Sequence, residues 1–226
     1  MSTPLVTKVR LKIKKIARDL HPGHREFQRI WPLIDAVEGW LLPSEGAWLF
    51  HAARSLPRSA DIVEIGSFKG RSTCCLALGC RESRKRVFAI DSFDGGPDLP
   101  RADSFAEFSR NLVRLGLSSR VEPVVGRSSE AARHWEKPIH LLFIDGSHSY
   151  EDALGDFHGF FRHVVPGGLV AFHDVNDKWP GVSKTWLEVK DQLSGIGYCD
   201  SLAYGRKPKL PFRLVKRAEL KHDVSD

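Results

Sequence analysis

The stretch at residues 61–73, DIVEIGSFKGRST, constrains the fold of this chain more than any other segment. Residues 62–65 form a short apolar run around one acid, and the turn residues that bound this run are typical of a buried parallel strand. Gly66 and Gly70 then break the strand, and a helical pattern follows them. A strand, a glycine loop and a helix in this order direct free backbone N–H groups and the positive helix end towards one point. The stretch therefore predicts a ligand site, at which glycine lets the ligand approach the backbone.

A second strand is predicted over residues 87–90, and it ends in Asp91. An acid that closes the second strand, about 20 to 30 residues after the glycines, is placed to accept hydrogen bonds from ribose hydroxyls. The spacing of the two glycines is weak evidence by itself, since any tight strand-to-helix turn tolerates it. The alternative is an ordinary βαβ crossover with a surface aspartate. The glycines and the acid together favour a ligand that contains ribose.

Length and composition restrict the class of protein. A chain of 226 residues suits one large domain, or one domain with an appendage. No apolar run approaches the ~18 residues of a membrane span, and the N-terminus lacks the apolar core of a secretory signal. Three of the four cysteines, Cys74, Cys75 and Cys80, lie in one predicted helix and form no plausible disulfide framework. We therefore expect a cytoplasmic protein with reduced, buried thiols.

The positive charge is concentrated at the N-terminus. Eight basic and two acidic residues among the first 30 account for the whole net charge of +6. We assign residues 1–35 to a basic N-terminal helical leader, because apolar residues recur at helical spacing between the cations: Val9, Ile13, Ile16 and Leu20.

Such a helix can lie on an anionic membrane or on nucleic acid, or it can pack its apolar stripe on the domain or on a second subunit. Packing is favoured, and a nucleic-acid partner is not expected, because no aromatic residue interleaves the cations before Phe27. A homo-oligomer and a peripheral membrane contact through the leader both stay open.

Strands and helices alternate after the leader. Further strands are predicted at residues 120–125, 140–144 and 169–172, and helices at residues 25–42, 47–56, 105–115, 150–164 and 185–193. Two closing strands are predicted at residues 198–203 and 212–215, joined by a basic loop. This alternation predicts a doubly wound α/β sheet that binds ligands at the carboxyl ends of its strands. We place this domain at residues 36–216, followed by a polar C-terminal tail at residues 217–226.

Four motifs follow one another along the chain: EIGSFKG from Glu64, the acid Asp91, IDGSHSYED from Ile144, and VPGGLVAFHDV from Val165. Together they resemble the class I S-adenosylmethionine-dependent methyltransferases. Within that superfamily, these motifs and the stretch EGWLLPSEGAWLF from Glu38 resemble the small-molecule O-methyltransferases related to catechol and macrocin O-methyltransferases. The resemblance covers about residues 36–216. It implies a Rossmann-like, seven-stranded sheet whose last strand runs antiparallel.

The resemblance also implies a set of cofactor-binding residues for S-adenosyl-L-methionine. Asp91 takes the ribose hydroxyls, Ser92 and Phe93 lie beside the adenine, and Ser128 lies near it. The alternative for Ser128 is a helix N-cap. The methionine part of the cofactor is held by the strand end and glycine loop, at Glu64, Gly66, Ser67, Gly70 and Ser72.

A second site is predicted at Asp145 and Asp174, each of which follows an apolar strand. Two acids on one rim are costly unless a cation, a proton or a donor compensates them. In the family resembled, these positions bind a divalent metal, here Mg, Mn or Fe. The pattern departs from the family because the usual second acid or amide beside Asp174 is absent; His173 is then the third ligand, although imidazole suits a softer metal than magnesium. The alternatives are an oxygen from Asn176, or no metal and an Asp145 that contacts the cofactor or acceptor directly.

His148 lies three residues after Asp145, where a catechol-type enzyme places its catalytic lysine. A histidine that titrates near neutrality is a suitable base for an oriented or acidified hydroxyl. The alternative is a histidine that merely caps the following helix. The predicted catalytic residues are therefore His148 and Asp145.

The sequence predicts an S-adenosylmethionine-dependent O-methyltransferase that acts on a small hydroxylated acceptor, such as a sugar or a phenol. Two alternatives stay open. One is a metal-dependent hydroxylase on the same fold, of the kind related to cephalosporin biosynthesis, with iron at His173 and Asp174. The other is a non-catalytic binding protein that uses its basic leader.

Overall fold

The computed structural model describes residues 22–81, 83–95 and 104–209. Its strands are β1 (Asp61–Ile65), β2 (Arg86–Asp91), β3 (Val121–Val125), β4 (Ile139–Ile144), β5 (Val164–Phe172), β6 (Ser194–Cys199) and β7 (Leu202–Arg206). Its helices are α1 (Pro22–Asp35), α2 (Pro43–Ser55), α3 (Arg71–Gly79), α4 (Ser104–Arg114), α5 (Ser128–Arg133), α6 (Tyr150–Phe161) and α7 (Pro180–Val189), and a short 3₁₀ turn follows at Lys190–Gln192.

The strands form one seven-stranded sheet in the order β3-β2-β1-β4-β5-β7-β6. β1 to β5 run parallel, β7 pairs antiparallel with β5, and β6 pairs antiparallel with β7. This confirms the predicted doubly wound sheet with an antiparallel last strand. The strand order reverses between β1 and β4, and such a switch point is where open α/β sheets bind their ligands.

The register of the strands brings the predicted site residues to one edge of the sheet. Ile65 pairs with Ile90 of β2 and with Ile144 of β4. Ile144 in turn pairs with Phe172 of β5. The residues that follow these positions therefore leave the sheet side by side, because the carboxyl ends of parallel strands share an edge.

Helices cover both faces of the sheet, so the central strands are apolar on both sides. Ile62 faces a core layer that includes α2 and α3, whereas Val63 and Ile65 face a layer that includes α6 and α7. Burial of one large apolar side chain contributes roughly 1.5–3 kcal/mol to stability. The two layers therefore give the sheet edge a rigid base.

Helix α1 packs on the domain, and its Phe27 and Ile34 are fully buried. The rings of Phe27 and Phe50 of α2 lie 5.6 Å apart between centroids. The helix ends at Asp35, short of the predicted residue 42. The predicted amphipathic stripe at residues 9–20 lies outside the described residues, as does the tail at 217–226, and the boundaries of leader, domain and tail stay predictions.

The predicted strand at residues 198–203 is wrong. The chain turns at Asp200 and Ser201 between β6 and β7, and Asp200 has a left-handed φ of +52°. The prediction from the apolar pattern failed because β6 lies at the edge of the sheet, where its Ile196 and Tyr198 are exposed. Its Gly197 also leaves room for the ring of Tyr204. The strand predicted at 212–215 lies outside the described residues. Within the described ranges, no helix is long and apolar enough to cross a membrane.

Candidate active site

Asp91 joins the end of β2 to the glycine loop. One carboxylate oxygen accepts hydrogen bonds from the backbone N–H groups of Ser67 and Phe68, both at 2.7 Å. The other oxygen accepts from the N–H of Phe93 at 2.7 Å. The predicted ribose acceptor is thus also the residue that fixes two loops. The oxygen that accepts from Phe93 takes only this one hydrogen bond and retains acceptor capacity for a ligand.

Gly66 and Gly70 both have left-handed backbone, with φ of +84° and +90°. A Cβ on Gly66 would lie 2.1 Å from the carbonyl oxygen of Asp145, and one on Gly70 would lie 3.0 Å from the ring of Phe108. The sequence analysis explained the two glycines by the close approach of a ligand to the backbone. In the structure, the Asp145 carbonyl and the Phe108 ring also approach them closely. The glycine loop crosses directly over the end of β4, which brings the two predicted sites into contact.

Glu64 lies fully buried on β1 beneath the glycine loop. Its Oε2 accepts hydrogen bonds from the hydroxyls of Ser67, at 2.9 Å, and Thr73. Burial raises its pKa to about 7, although the hydroxyls of Thr73, Ser72 and Ser67 oppose this. Its Oε1 is a buried acceptor with no partner among the described residues. Such an orphaned acceptor fits a ligand that brings a donor, such as an amino group.

The residues predicted around the adenine lie at the ends of β2 and β3. The ring of Phe93 is buried and packs 5.0 Å from the rings of Phe105 and Phe108. The hydroxyl of Ser92 donates to Asp94 at 2.6 Å. Ser128 is the first helical residue of α5 and not its N-cap. Burial raises the pKa of the neighbouring Asp156 to about 6, which the hydroxyl of Ser128 partly offsets.

Asp145, His173 and Asp174 converge where β4 and β5 end. His173 Nδ1 lies 3.1 Å from Asp145 Oδ1 and 3.1 Å from Asp174 Oδ2. The three residues offer ligand atoms within 4.8 Å of one another. The structure thus brings together the residues that the sequence named as metal ligands.

Charge is balanced within this cluster. Burial alone would lower the pKa of His173, but Asp145, Asp174 and Glu45 outweigh it and raise that pKa well above its ordinary value. Burial would raise the pKa of Asp174, but His148 and His173 hold it well below its ordinary value. Burial raises the pKa of Asp145, which His173 only partly offsets. In the metal-free protein, an imidazolium at His173 therefore compensates the acids.

His148 lies on the open side of the cluster. Its Nε2 is 3.3 Å from Asp174 Oδ2, and its ring stacks on Trp179 with 3.7 Å between centroids. The N-cap of α6 is Ser149, whose hydroxyl accepts from the N–H of Asp152, so His148 is not the cap. The amide oxygen of Asn176 accepts from the N–H groups of residues 178 and 179. Asn176 Nδ2 is the atom that faces Asp174.

Glu45 belongs to the cluster, and sequence reasoning missed it. It lies in the first turn of α2, is 1% exposed, and its Oε2 is 3.0 Å from His173 Nε2. In the sequence, it stands in a turn-like segment, 128 residues before His173. The one local signal is its third position in the helix, which is typical of a capping box.

Residues 63–175 match a family model described as a methyltransferase domain. A demethylmacrocin O-methyltransferase from Streptomyces fradiae is 34% identical over 91 residues, which cover 37% of this chain and 22% of that relative. The uncharacterized protein y4gI of Sinorhizobium fredii is 28% identical over 173 residues, which cover 69% of this chain and 17% of that relative. The chain thus spans about a fifth of the length of these two relatives.

The fold is shared with a solved structure of an O-methyltransferase from Bacillus cereus in complex with SAH. The TM-score is 0.60 at 17% identity, and the match covers 86% of this chain and 96% of that chain. At this identity, the likeness establishes the architecture. Since the family model matches half of the sequence, from β1 to the end of β5, the chain belongs to the methyltransferase-domain family, with the class I fold that its motifs predicted.

Proposed function

We propose that this protein transfers a methyl group from S-adenosyl-L-methionine to a hydroxyl of a small molecule, such as a sugar or a phenol. The observation that supports this most is the crossing of Gly66 over the end of β4, which places the glycine loop against Asp145. A cofactor held by the glycine loop, residues 66–70, would then lie next to an acceptor held by the acid cluster of Asp145, His173 and Asp174. Such proximity is the main requirement of a methyl transfer, in which oxygen, carbon and sulfur must align.

The cofactor pocket combines groups that complement an amino acid and a nucleoside. The orphaned Glu64 Oε1 suits an amino group, and the N-terminus of α3, which follows Gly70, suits a carboxylate. Asp91 suits the ribose hydroxyls. Ser92, Phe93 and Ser128 border the adenine, and the buried Asp156 lies beside Ser128. The sulfonium cofactor supplies the electrophilic methyl group.

The acid cluster fits a divalent cation. Ligands at about 2.1 Å around an octahedral ion lie roughly 3.0 Å from their neighbours, and His173 Nδ1 lies 3.1 Å from both acids. Asp145, Asp174 and His173 would hold the ion, with His173 giving up its Nδ1 proton. When bound, a divalent cation lowers the pKa of a hydroxyl beside it.

His148 then takes the hydroxyl proton through a ring nitrogen. Stacking on Trp179 and the contact with Asp174 fix the ring next to the acceptor position. If no metal binds, Asp145 orients the acceptor hydroxyl directly, and His148 keeps its role as the base. The donor set of one imidazole and two carboxylates also suits iron, which favours the hydroxylase as the second candidate function.

One assay separates these functions. Labelled S-adenosylmethionine is offered with a panel of hydroxylated acceptors, before and after chelation and with added Mg²⁺, Mn²⁺ or Fe²⁺. We expect label transfer to a hydroxyl, stimulated by metal. Turnover that needs iron but no methyl donor would establish the hydroxylase instead. Full turnover after exhaustive chelation would remove the metal and leave Asp145 as the direct contact.

The cofactor assignment has its own test. Asp91→Ala should weaken S-adenosylmethionine binding by about 1–3 kcal/mol, the loss expected for charge-assisted hydrogen bonds. Glu122→Ala, at an exposed acid near the start of β3, is the control and should bind normally. Unchanged calorimetric affinity in a folded Asp91→Ala protein would contradict the ribose assignment.

A further inference from the structure

Glu45 makes four hydrogen bonds from a site that water does not reach. Its Oε1 accepts from the N–H of Ser201 at 2.9 Å and from the hydroxyl of Ser201 at 2.7 Å. Its Oε2 accepts from the N–H of Leu42 at 2.9 Å and lies 3.0 Å from His173 Nε2. One carboxylate thus joins the start of α2, the β6–β7 turn and the end of β5.

The bond to His173 differs in kind from the other three. The bonds to Leu42 and Ser201 cap a helix and fix a turn, which an uncharged side chain can also do. An ionised carboxylate only accepts hydrogen bonds, so the bond to His173 requires a proton on Nε2. With Nε2 committed to Glu45, Nδ1 is the nitrogen that faces Asp145 and Asp174.

We propose that Glu45 is a positioning residue that makes His173 Nδ1 a metal ligand. It holds the ring in one orientation and one tautomer, so that Nδ1 and the carboxylates of Asp145 and Asp174 form a nitrogen-and-oxygen site. Carboxylates that bind the second nitrogen of a ligating histidine act in this way in many metal sites. The inference rests on the metal-assisted part of the proposed function.

The donor set also selects the class of metal. Mg²⁺ prefers oxygen ligands and retains its water, whereas Mn²⁺, Fe²⁺, Co²⁺ and Zn²⁺ accept an imidazole nitrogen. A site in which Glu45 presents a nitrogen at the centre of the acid cluster should therefore bind these transition metals more tightly than Mg²⁺.

Direct titration with Mn²⁺, followed by electron paramagnetic resonance, tests this in the full-length protein without cofactor or acceptor. Glu45→Gln should weaken Mn²⁺ binding by roughly 10- to 100-fold, the usual effect of losing such a carboxylate. The matched control is Ser44→Ala. Ser44 precedes Glu45 in the same helical turn and bonds to Asp200 of the same β6–β7 turn, yet it does not bond to His173. Its loss should leave Mn²⁺ affinity within about twofold, because it leaves the Glu45–His173 bond intact.

A spectroscopic measurement separates positioning from a purely structural role. In protein with ¹⁵N-labelled histidine, Zn²⁺ should shift His173 Nδ1 to the metal-bound position while Nε2 keeps its proton. The Glu45→Gln variant should lose this signature at Zn²⁺ concentrations that saturate the parent protein. If Glu45→Gln does not fold, the spectrum of the parent protein still shows which nitrogen of His173 binds Zn²⁺.

Any one of four results would overturn the proposal. The first two are Mn²⁺ affinity that is equal in Glu45→Gln and the parent, and equal losses in Glu45→Gln and Ser44→Ala. The other two are coordination of Zn²⁺ through Nε2 or through neither nitrogen, and a parent protein that binds none of these metals. None of these results bears on label transfer from S-adenosylmethionine, so the failure of this proposal and that of the methyltransferase assignment are distinguishable.

Discussion

Left-handed backbone at residues other than glycine concentrates at the candidate site. Among the described residues, four non-glycine residues have positive φ, and Phe68, Phe93 and Asp174 are three of them. Each such conformation costs on the order of 1 kcal/mol and persists only where its surroundings impose it. Asp91 imposes it on the two phenylalanines through their N–H groups. Strain at this sheet edge is therefore balanced by hydrogen bonds that also shape the candidate cofactor pocket.

Glu64 should make the stability of the cofactor-free protein depend on pH. Its pKa in the folded protein, about 7, exceeds its ordinary value of 4.5. Between these two values, the folded state retains a proton that the unfolded state has lost. The stabilisation that results is complete below pH 4.5 and is lost as the pH rises through 7. The loss amounts to roughly 3 kcal/mol.

Glu64→Gln cannot titrate, so urea unfolding between about pH 5 and pH 8 should show a smaller decline than in the parent protein. At the upper end of that range, the cofactor-free variant should be the more stable of the two, while it binds S-adenosylmethionine more weakly. Parallel curves for the two proteins would show that Glu64 does not retain a proton in the fold.

His148→Ala tests the base. Turnover should fall by roughly 10²- to 10⁴-fold, the usual loss for a general base. Cofactor affinity should stay unchanged, because the ring contacts Asp174 in the acid cluster and not the glycine loop. His158→Ala, on the far part of α6, is the control and should turn over normally. A normal rate for His148→Ala would place the base elsewhere.

At the scale of elements, the sequence predicted the features that a local residue pattern determines, namely the parallel strands and the acids at their ends. The four central parallel strands, β1, β2, β4 and β5, are buried on both faces, so each appears as an apolar run, and the acids that follow or end them identified Asp91, Asp145 and Asp174. Two features escaped prediction. The β6–β7 turn lies at a sheet edge with exposed side chains, and Glu45 reaches His173 only through the packing of α2, which no local spacing encodes.

Gly66→Ala should disrupt the crossing of the glycine loop over β4. The new Cβ would meet the Asp145 carbonyl at 2.1 Å, at a φ of +84° that alanine disfavours. We expect a loss of about 2–4 kcal/mol in unfolding free energy, together with weaker cofactor binding. Gly155→Ala is the contrasting control: the position is inside α6 with nothing within 4 Å of the new Cβ. It should raise stability by roughly 0.5–1 kcal/mol. Equal effects of the two substitutions would contradict the crossing.

At the scale of the whole molecule, the charged leader and the domain are chemically distinct. The part of the leader that precedes α1, residues 1–21, contains six basic residues and one acid, whereas the chain after residue 30 has no net charge. The described surface near α1 exposes Leu33, Trp40 and Leu42. An apolar stripe on the leader therefore has apolar surface available on the domain, as well as on a second subunit.

Removal of residues 1–21 should, if the leader packs, expose apolar surface and cause aggregation or a change in oligomeric state, measured by light scattering. A full-length Ile13→Ser/Ile16→Ser variant keeps every cation but loses the stripe, so it should behave like the truncated protein. If the leader instead binds an anionic membrane, the truncated protein should stay well behaved and lose its binding to anionic liposomes. That binding should also weaken with salt, because the attraction between exposed charges is screened. Our preference for packing would be wrong if liposome binding required the cations and the Ile13→Ser/Ile16→Ser variant kept the oligomeric state of the parent protein.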